Sequence, residues 1–244
     1  MMQRFFKRIH SKALNVSEAP VLIVALGDSV TQGAMEHGQL SPSIVYHRIF
    51  QEKLETFFPN TSFSTINAGV SGDSSLQGLE RLERDVLSHS PDLVLVAFGL
   101  NDCIGGVEQL SQFCDTLAAI ADRVRGESEA DLVFLTPPFM ACQRSARIHP
   151  VHEGFVDVII NAQTSGALSA FAAGIRKVAK EKSALLVDVH TEWERLQRQG
   201  VNVESWIING LNHPDARGHR IAADLLFHRV LTSAAGEGSP WHVA

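Results

Sequence analysis

Five short apolar runs, separated by stretches with helical spacing, constrain this chain more than any other feature. They fall at residues 21–26 (VLIVAL), 62–67 (SFSTIN), 93–98 (LVLVAF), 132–136 (LVFLT) and 184–188 (ALLVD). Three of them are nearly unbroken, as expected of strands covered on both faces of a parallel sheet. Between them, Leu76, Leu79, Leu82 and Val86 share the spacing of one helix face. Helices are also predicted over 44–57, 110–124, 168–178 and 217–231. Repeated strand–helix alternation requires right-handed crossovers and helices on both faces of the sheet. The predicted fold is therefore α/β, with three layers (α/β/α) around a five-stranded parallel sheet. No composition shift, linker or repeat divides the 244 residues, so a single domain is expected over 1–244.

Two segments stand outside this pattern. Residues 1–19 open with a basic amphipathic helix, in which Phe5, Phe6, Ile9 and Leu14 line one face that is expected to pack on the chain's own domain. Arg4, Lys7, Arg8 and Lys12 interrupt every apolar stretch there, so a secretory signal is not expected. Nor does any apolar run approach the roughly 18 residues that span a bilayer. A cytoplasmic protein without stable membrane insertion is the expectation. The second segment, residues 137–157, is long for an irregular connection and is read as a candidate lid.

Charge narrows the range of partners. The chain has 21 Lys and Arg against 27 Asp and Glu, a net charge of -6. That balance argues against a nucleic-acid partner, which normally selects a basic patch. Three cysteines have neither metal-ligand spacing nor the number for a disulfide framework. His149, His152 and His219 give no assembled metal site, and no phosphate-binding glycine motif is present.

Ligands of open α/β sheets bind beyond the C-terminal ends of the strands. Gly27-Asp28-Ser29-Val30-Thr31-Gln32-Gly33 follows the first apolar run, and Asn67-Ala68-Gly69-Val70-Ser71-Gly72-Asp73 follows the second. Gly99-Leu100-Asn101-Asp102 follows the third, and Asn209-Gly210-Leu211-Asn212-His213-Pro214 precedes the last helix. Each piece has a use in acyl transfer. A serine in a tight turn presents its hydroxyl but needs a base, the role a histidine fills. The tetrahedral intermediate carries an oxyanion that needs fixed donors. The backbone N–H groups of Ser29 and Gly72 and the side-chain amide of Asn101 are candidates. Asp28 and Asp73 are read as turn or network residues, and Cys103 as a buried thiol.

These blocks, in this order, resemble the SGNH (GDSL) hydrolase family: GDSV around Ser29, NAGVSGDSSLQG around Gly72, GLND around Asn101 and HPDARGH around His213. Residues 67–102 are most similar to the bacterial thioesterase/lysophospholipase branch. The resemblance implies a flavodoxin-like fold, no cofactor, and hydrolysis of a small-molecule ester or thioester. It implies Ser29 as nucleophile, His213 as base, and Ser29, Gly72 and Asn101 as oxyanion donors.

One position departs from that pattern. The family usually carries an Asp three residues before the histidine, and here that residue is Gly210. A Ser–His dyad is the expectation, with Asn209 or a main-chain carbonyl orienting the imidazole. Asp188 and Asp215 are the other candidates for that place. The absent acid also keeps open a noncatalytic ligand-binding protein on the same fold. Gln143, Arg144, Ser145 and Arg147 in the candidate lid lean the substrate towards a polar alcohol such as a carbohydrate. Acyl length, alcohol and oligomeric state are not fixed by the sequence.

Overall fold

Every one of the five apolar runs becomes a strand: β1 (Val21–Gly27), β2 (Phe63–Gly69), β3 (Leu93–Ala97), β4 (Asp131–Leu135) and β5 (Leu185–Val187). The structure is a computed structural model that describes residues 2–233. Met1 and residues 234–244, the two ends of the expected domain, lie outside the described residues. All strand pairs are parallel, in the order β2-β1-β3-β4-β5. The chain thus steps outward from β1 to β2, then returns to the other side of β1 as β3. This reversal opens a crevice beyond the C-terminal ends of β1 and β3, where such sheets place ligands.

Alternate side chains of the central strands face opposite layers, as the two-residue period of a strand requires. Val24, Leu26, Val94, Val96 and Phe134 enter one core, beneath α4 (Ser75–Glu80), α5 (Leu82–Asp85), α6 (Leu110–Glu127), α7 (Val156–Thr164) and α8 (Ala167–Glu181). Ile23, Ala25, Leu93, Leu95 and Val133 enter the other. That layer is built from α1 (Gln3–Leu14), α3 (Tyr46–Phe57), α9 (Val189–Arg198) and α10 (Ala216–Ser233). Between β1 and α3 lies α2 (Ser29–Gln32), a single turn.

Several boundaries differ from the sequence reading for identifiable reasons. The helix expected through 76–86 breaks at Arg81 into α4 and α5, because Arg81 turns back to donate to the carbonyls of Ala68 and Gly27 at 2.7 and 2.9 Å. Leu76 consequently faces solvent. At the N-terminus, Phe5 and Ile9 are buried as expected, whereas Leu14 ends the helix exposed. Besides the single turn α2, two helices stand outside the predicted set. One, α9, starts directly after β5, with Asp188 accepting the Thr191 N–H as its N-cap. The other, α7, begins at Val156, so the irregular stretch is shorter than 137–157. Phe139, Met140 and Ala141 at its start are buried, and the Ala141 N–H donates to Leu211 O at 2.7 Å.

Candidate active site

Ser29 is the first residue of α2, directly beyond β1. Asp28 caps this turn, its Oδ1 accepting the Val30 N–H at 2.9 Å. A helix start leaves its first N–H groups without intrahelical partners, which directs the Ser29 N–H outward. Two side chains of α3 brace the turn from behind. Tyr46 Oη meets Thr31 Oγ1 at 3.1 Å, and His47 Nε2 meets Thr31 O at 3.0 Å. Burial pushes the Asp28 carboxyl up to about 7; the Val30 N–H opposes that shift, and neighbouring Asp102 adds to it.

The serine meets a histidine 184 positions away in the chain. His213 Nε2 lies 3.0 Å from Ser29 Oγ, and His213 Nδ1 lies 2.7 Å from the backbone carbonyl of Met35. A carbonyl oxygen can only accept, so Nδ1 carries the proton and Nε2 presents its lone pair to the serine hydroxyl. That is the tautomer a general base requires. Burial holds the His213 pKa below the ordinary histidine value; the Met35 bond works against this, and His152 adds to the lowering.

The candidates for orienting the imidazole are thereby sorted. Asn209 does not touch the ring. Its Oδ1 accepts the N–H groups of Leu211, Asn212 and His213, each at 3.0 Å, and so shapes the turn that presents the histidine. Asp188 is engaged elsewhere, by Arg176 at 2.7 and 3.0 Å and by Thr136 at 3.0 Å. Burial alone would raise its carboxyl, but the bonds from Arg176 and Thr191 outweigh it and bring the pKa down to about 2. Asp215 accepts the Arg217 N–H at 2.8 Å at the start of α10. Of the two alternatives read from the sequence, the main-chain carbonyl holds the ring.

Gly210 shows why no acid stands at the usual place. Its φ is +72°, in the left-handed region that favours glycine. A Cβ there would lie 3.1 Å from Ser145 Cβ and from Ile148 Cγ1. An aspartate at 210 would be both strained and crowded.

The oxyanion candidates are tied down by a network that the sequence reading left out. Asn101 Nδ2 donates to Asp73 O at 2.8 Å, which uses one of its two amide hydrogens. Asp102, next in the chain, accepts from Ser75 N, Ser75 Oγ and Gly99 N at 2.9, 2.6 and 3.0 Å. Arg81 binds Asp73 Oδ2 at 2.8 Å while holding the β1 and β2 carbonyls, which locks the Gly72 turn to the ends of both strands. Gly72 itself has φ +86° with open space where a Cβ would stand. Nothing in the residue order distinguishes Arg81 from the exposed arginine at 84; only the fold does.

Ser29, Gly72, Asn101 and His213 line one open cavity of about 740 Å³. Its walls include Leu40, Ile104, Phe155, Ile159 and Leu211, with Glu36, His37 and His152 at the rim. His37 stacks on His149 with ring centroids 4.1 Å apart and meets His152 edge-on at 5.1 Å. These contacts join the loop that carries Met35 to the segment after β4. The polar residues expected to face substrate sit elsewhere. Gln143, Arg144, Ser145 and Arg147 line a separate depression of about 250 Å³. There Arg144 pairs with Glu153 and Asp157, Gln143 with Glu204, and Arg147 with the Ser205 and Ile207 carbonyls. Among the described residues, no group of three His, Cys, Asp or Glu is arranged to hold a metal ion.

At the sheet's reversal, the serine-bearing turn thus faces a histidine from a late loop across one cavity. The chain belongs to the GDSL-like Lipase/Acylhydrolase family, whose profile matches residues 25–221. Among curated proteins it is 32% identical over 111 residues to thioesterase 1/protease 1/lysophospholipase L1 of Escherichia coli, covering 46% of this chain and 49% of that one. It is 32% identical over 91 residues to an arylesterase of Vibrio mimicus, covering 37% and 42%. The matches thus span about half the length of these relatives or less. Solved structures share the fold. They include an acetyl xylan esterase variant from Geobacillus stearothermophilus (TM-score 0.65, 18% identity, 86% of this chain and 94% of that one). Another is a two-domain esterase active on acetylated mannans (TM-score 0.68, 20% identity, 94% and 53%).

Proposed function

We propose that this chain hydrolyses carboxylic esters through an acyl-enzyme on Ser29. The observation that carries this reading is the dyad geometry: Nε2 of His213 at 3.0 Å from the serine hydroxyl, with Nδ1 fixed on Met35 O. In the first step Ser29 Oγ attacks the ester carbonyl carbon while its proton passes to Nε2. The oxyanion faces the Ser29 and Gly72 N–H groups and the second amide hydrogen of Asn101, donors already in place before charge develops. Collapse breaks the bond to the alcohol or thiol, which leaves with the proton from His213. Water then attacks the acyl-enzyme, His213 takes its proton, and the acid departs from regenerated Ser29.

A neutral carbonyl in place of a carboxylate orients the ring but gives the imidazolium less stabilisation. The cavity favours an apolar acyl chain over a carbohydrate, since Leu40, Ile104, Phe155, Ile159 and Leu211 surround the serine while the lid's polar side chains are paired away from it. The segment at 137–157 contributes His152 and Phe155 to that wall, the part of it that acts as a lid in this reading. The test is mass spectrometry after exposure to a fluorophosphonate. The expected result is one adduct, on Ser29, with Ser29→Ala unlabelled and its esterase turnover down by at least about a thousandfold. A folded but unlabelled protein would instead support the noncatalytic ligand-binding alternative.

A further inference from the structure

The cavity over Ser29 is electrostatically one-sided. Among the described residues that line it, Glu36 alone carries a full charge at a pH above the histidine range, and no Lys or Arg is present. Cations on the adjoining segments are committed elsewhere. Arg81 is held by Asp73 and Asp85, Arg144 by Glu153 and Asp157, and Arg217 by Asp215. Arg147 has no acidic partner, but it gives its guanidinium to the carbonyls of Ser205 and Ile207 in the separate depression. A ligand in the cavity therefore meets one anion and no permanent cation.

The fold fixes where that anion stands. Glu36 follows Met35, whose carbonyl holds His213 Nδ1 at 2.7 Å. The loop around it is a tight turn, in which Ala34 and Leu40 form an antiparallel bridge. The Met35 N–H donates to Gln39 O at 3.0 Å, and the Gln39 N–H donates to Glu36 O at 3.1 Å. The Glu36 carboxylate accepts from Gln39 Nε2 at 3.4 Å and has no cationic partner among the described residues. One turn thus carries both the carbonyl that orients the base and an unneutralised carboxylate on the cavity wall.

Aromatic rings share this rim. Phe155, 59% exposed, lines the cavity, as do His37 and His152, whose ring centroids lie 5.1 Å apart. Aromatic faces attract cations, and recognition of quaternary ammonium groups is their most familiar use. A primary ammonium is a compact, strongly hydrated charge. An ammonium clothed in methyl groups gives up water more readily, so it suits a site that combines a carboxylate with aromatic and apolar side chains.

We propose that the Glu36 rim binds a quaternary ammonium group on the alcohol side of the ester, so that Ser29 acts on acyl esters of cationic alcohols in preference to neutral or anionic ones. This rests on the acyl-ester reading above and adds the chemistry of the leaving alcohol. The acyl chain takes the apolar wall, and the alcohol takes the charged rim. The alcohol departs with the proton from His213, its ammonium charge unchanged throughout. Attraction at an exposed carboxylate weakens with salt, and the same carboxylate repels a leaving group that carries phosphates.

The test compares butyrylcholine with 3,3-dimethylbutyl butyrate, its uncharged isostere, at about pH 8, where histidine rings are neutral. At low ionic strength kcat/KM is expected to favour butyrylcholine by about fivefold. Glu36→Gln should bring that ratio to about one and Glu36→Lys should invert it, while Phe155→Ala should lower it by roughly twofold. Roughly 0.5 M NaCl should cut the wild-type preference by half or more. Each readout is a ratio of two substrates on one protein, so damage to folding or to the dyad cancels. Equal rates on the two esters, or a preference that Glu36→Gln leaves intact, would overturn the proposal. So would a preference for butyryl coenzyme A over the butyryl thioester of N-acetylcysteamine, which lacks the phosphates. Fluorophosphonate labelling keeps the two readings apart. Labelled Ser29 in a protein that shows no such preference, or that hydrolyses neither ester, sinks the cationic alcohol alone. A folded, unlabelled protein that hydrolyses neither sinks both.

Discussion

The two ends of the sheet use charge in opposite ways. At the N-terminal end, α1 closes the strands with ionic contacts. Asp92 accepts from Arg4 Nε at 3.1 Å and the Leu22 N–H at 2.9 Å, Arg8 Nε stands 3.2 Å from it, and Asp131 accepts the Phe5 N–H at 2.8 Å. At the C-terminal end, the groups that carry the proposed reaction are neutral: a hydroxyl, an imidazole on a main-chain carbonyl, an amide and two N–H groups. Three of the carboxylates there, Asp28, Asp73 and Asp102, point into turns that hold those groups, and a fourth, Glu36, lines the cavity. Full charges at the first end serve the folded state throughout its life. In the proposed reaction, neutral dipoles at the second meet a charge that exists only in the transition state, which a carboxylate aimed at it would repel.

The largest expected effect that tests this contrast is at Asn101. Replacing it with Ala should lower kcat by roughly a hundred- to a thousandfold with little change in KM, because its amide serves the developing oxyanion. A rise in KM at constant kcat would make it a ground-state binding residue. Asn209→Ala comes next, with kcat lower by about tenfold, since it frees three N–H groups of the His213 turn without removing a ring contact. At the other end, Asp92→Asn should leave kcat within about twofold while lowering stability on the order of 2 kcal/mol, read as a Tm drop of about 4–8 °C. Loss of activity in that variant at a temperature where it stays folded would show that the two ends are coupled.

The smallest effect is a shift in a pH profile. The dyad works with neutral His213, so kcat/KM rises with pH through the histidine pKa. Burial lowers that pKa, so the rising limb should have its midpoint below about 6.5, the ordinary histidine value. A midpoint above about 7 would mean that an anion, not the Met35 carbonyl, faces the imidazole.

Much of this molecule was legible in the order of its residues. Apolar runs of five and six residues specify strands because a parallel strand is covered on both faces, and the three-and-four spacing of leucines specifies a helix face. Local chemistry also singled out Ser29, Gly72, Asn101 and His213, each in a short turn block at a strand end or before a helix, and the fold brings all four to one cavity. Elements whose role depends on context were misread. Asp188, at the end of β5, looks like a candidate acid, yet the same side chain is the cap of a helix that starts one residue later. Leu76 has the spacing of a buried face, but Arg81 breaks that helix to reach two strand carbonyls.

The sequence by itself determined the strand–helix alternation and the turn blocks that hold the candidate site residues, because both depend on residues close together in the chain. Only the tertiary structure decided what holds the His213 imidazole. A backbone carbonyl has no residue signature, since every residue supplies one, and what singles out that of Met35 is where the loop beyond α2 lies when His213 arrives from 178 residues downstream. The same is true of Gly210, whose left-handed backbone and close neighbours leave no room for an acid.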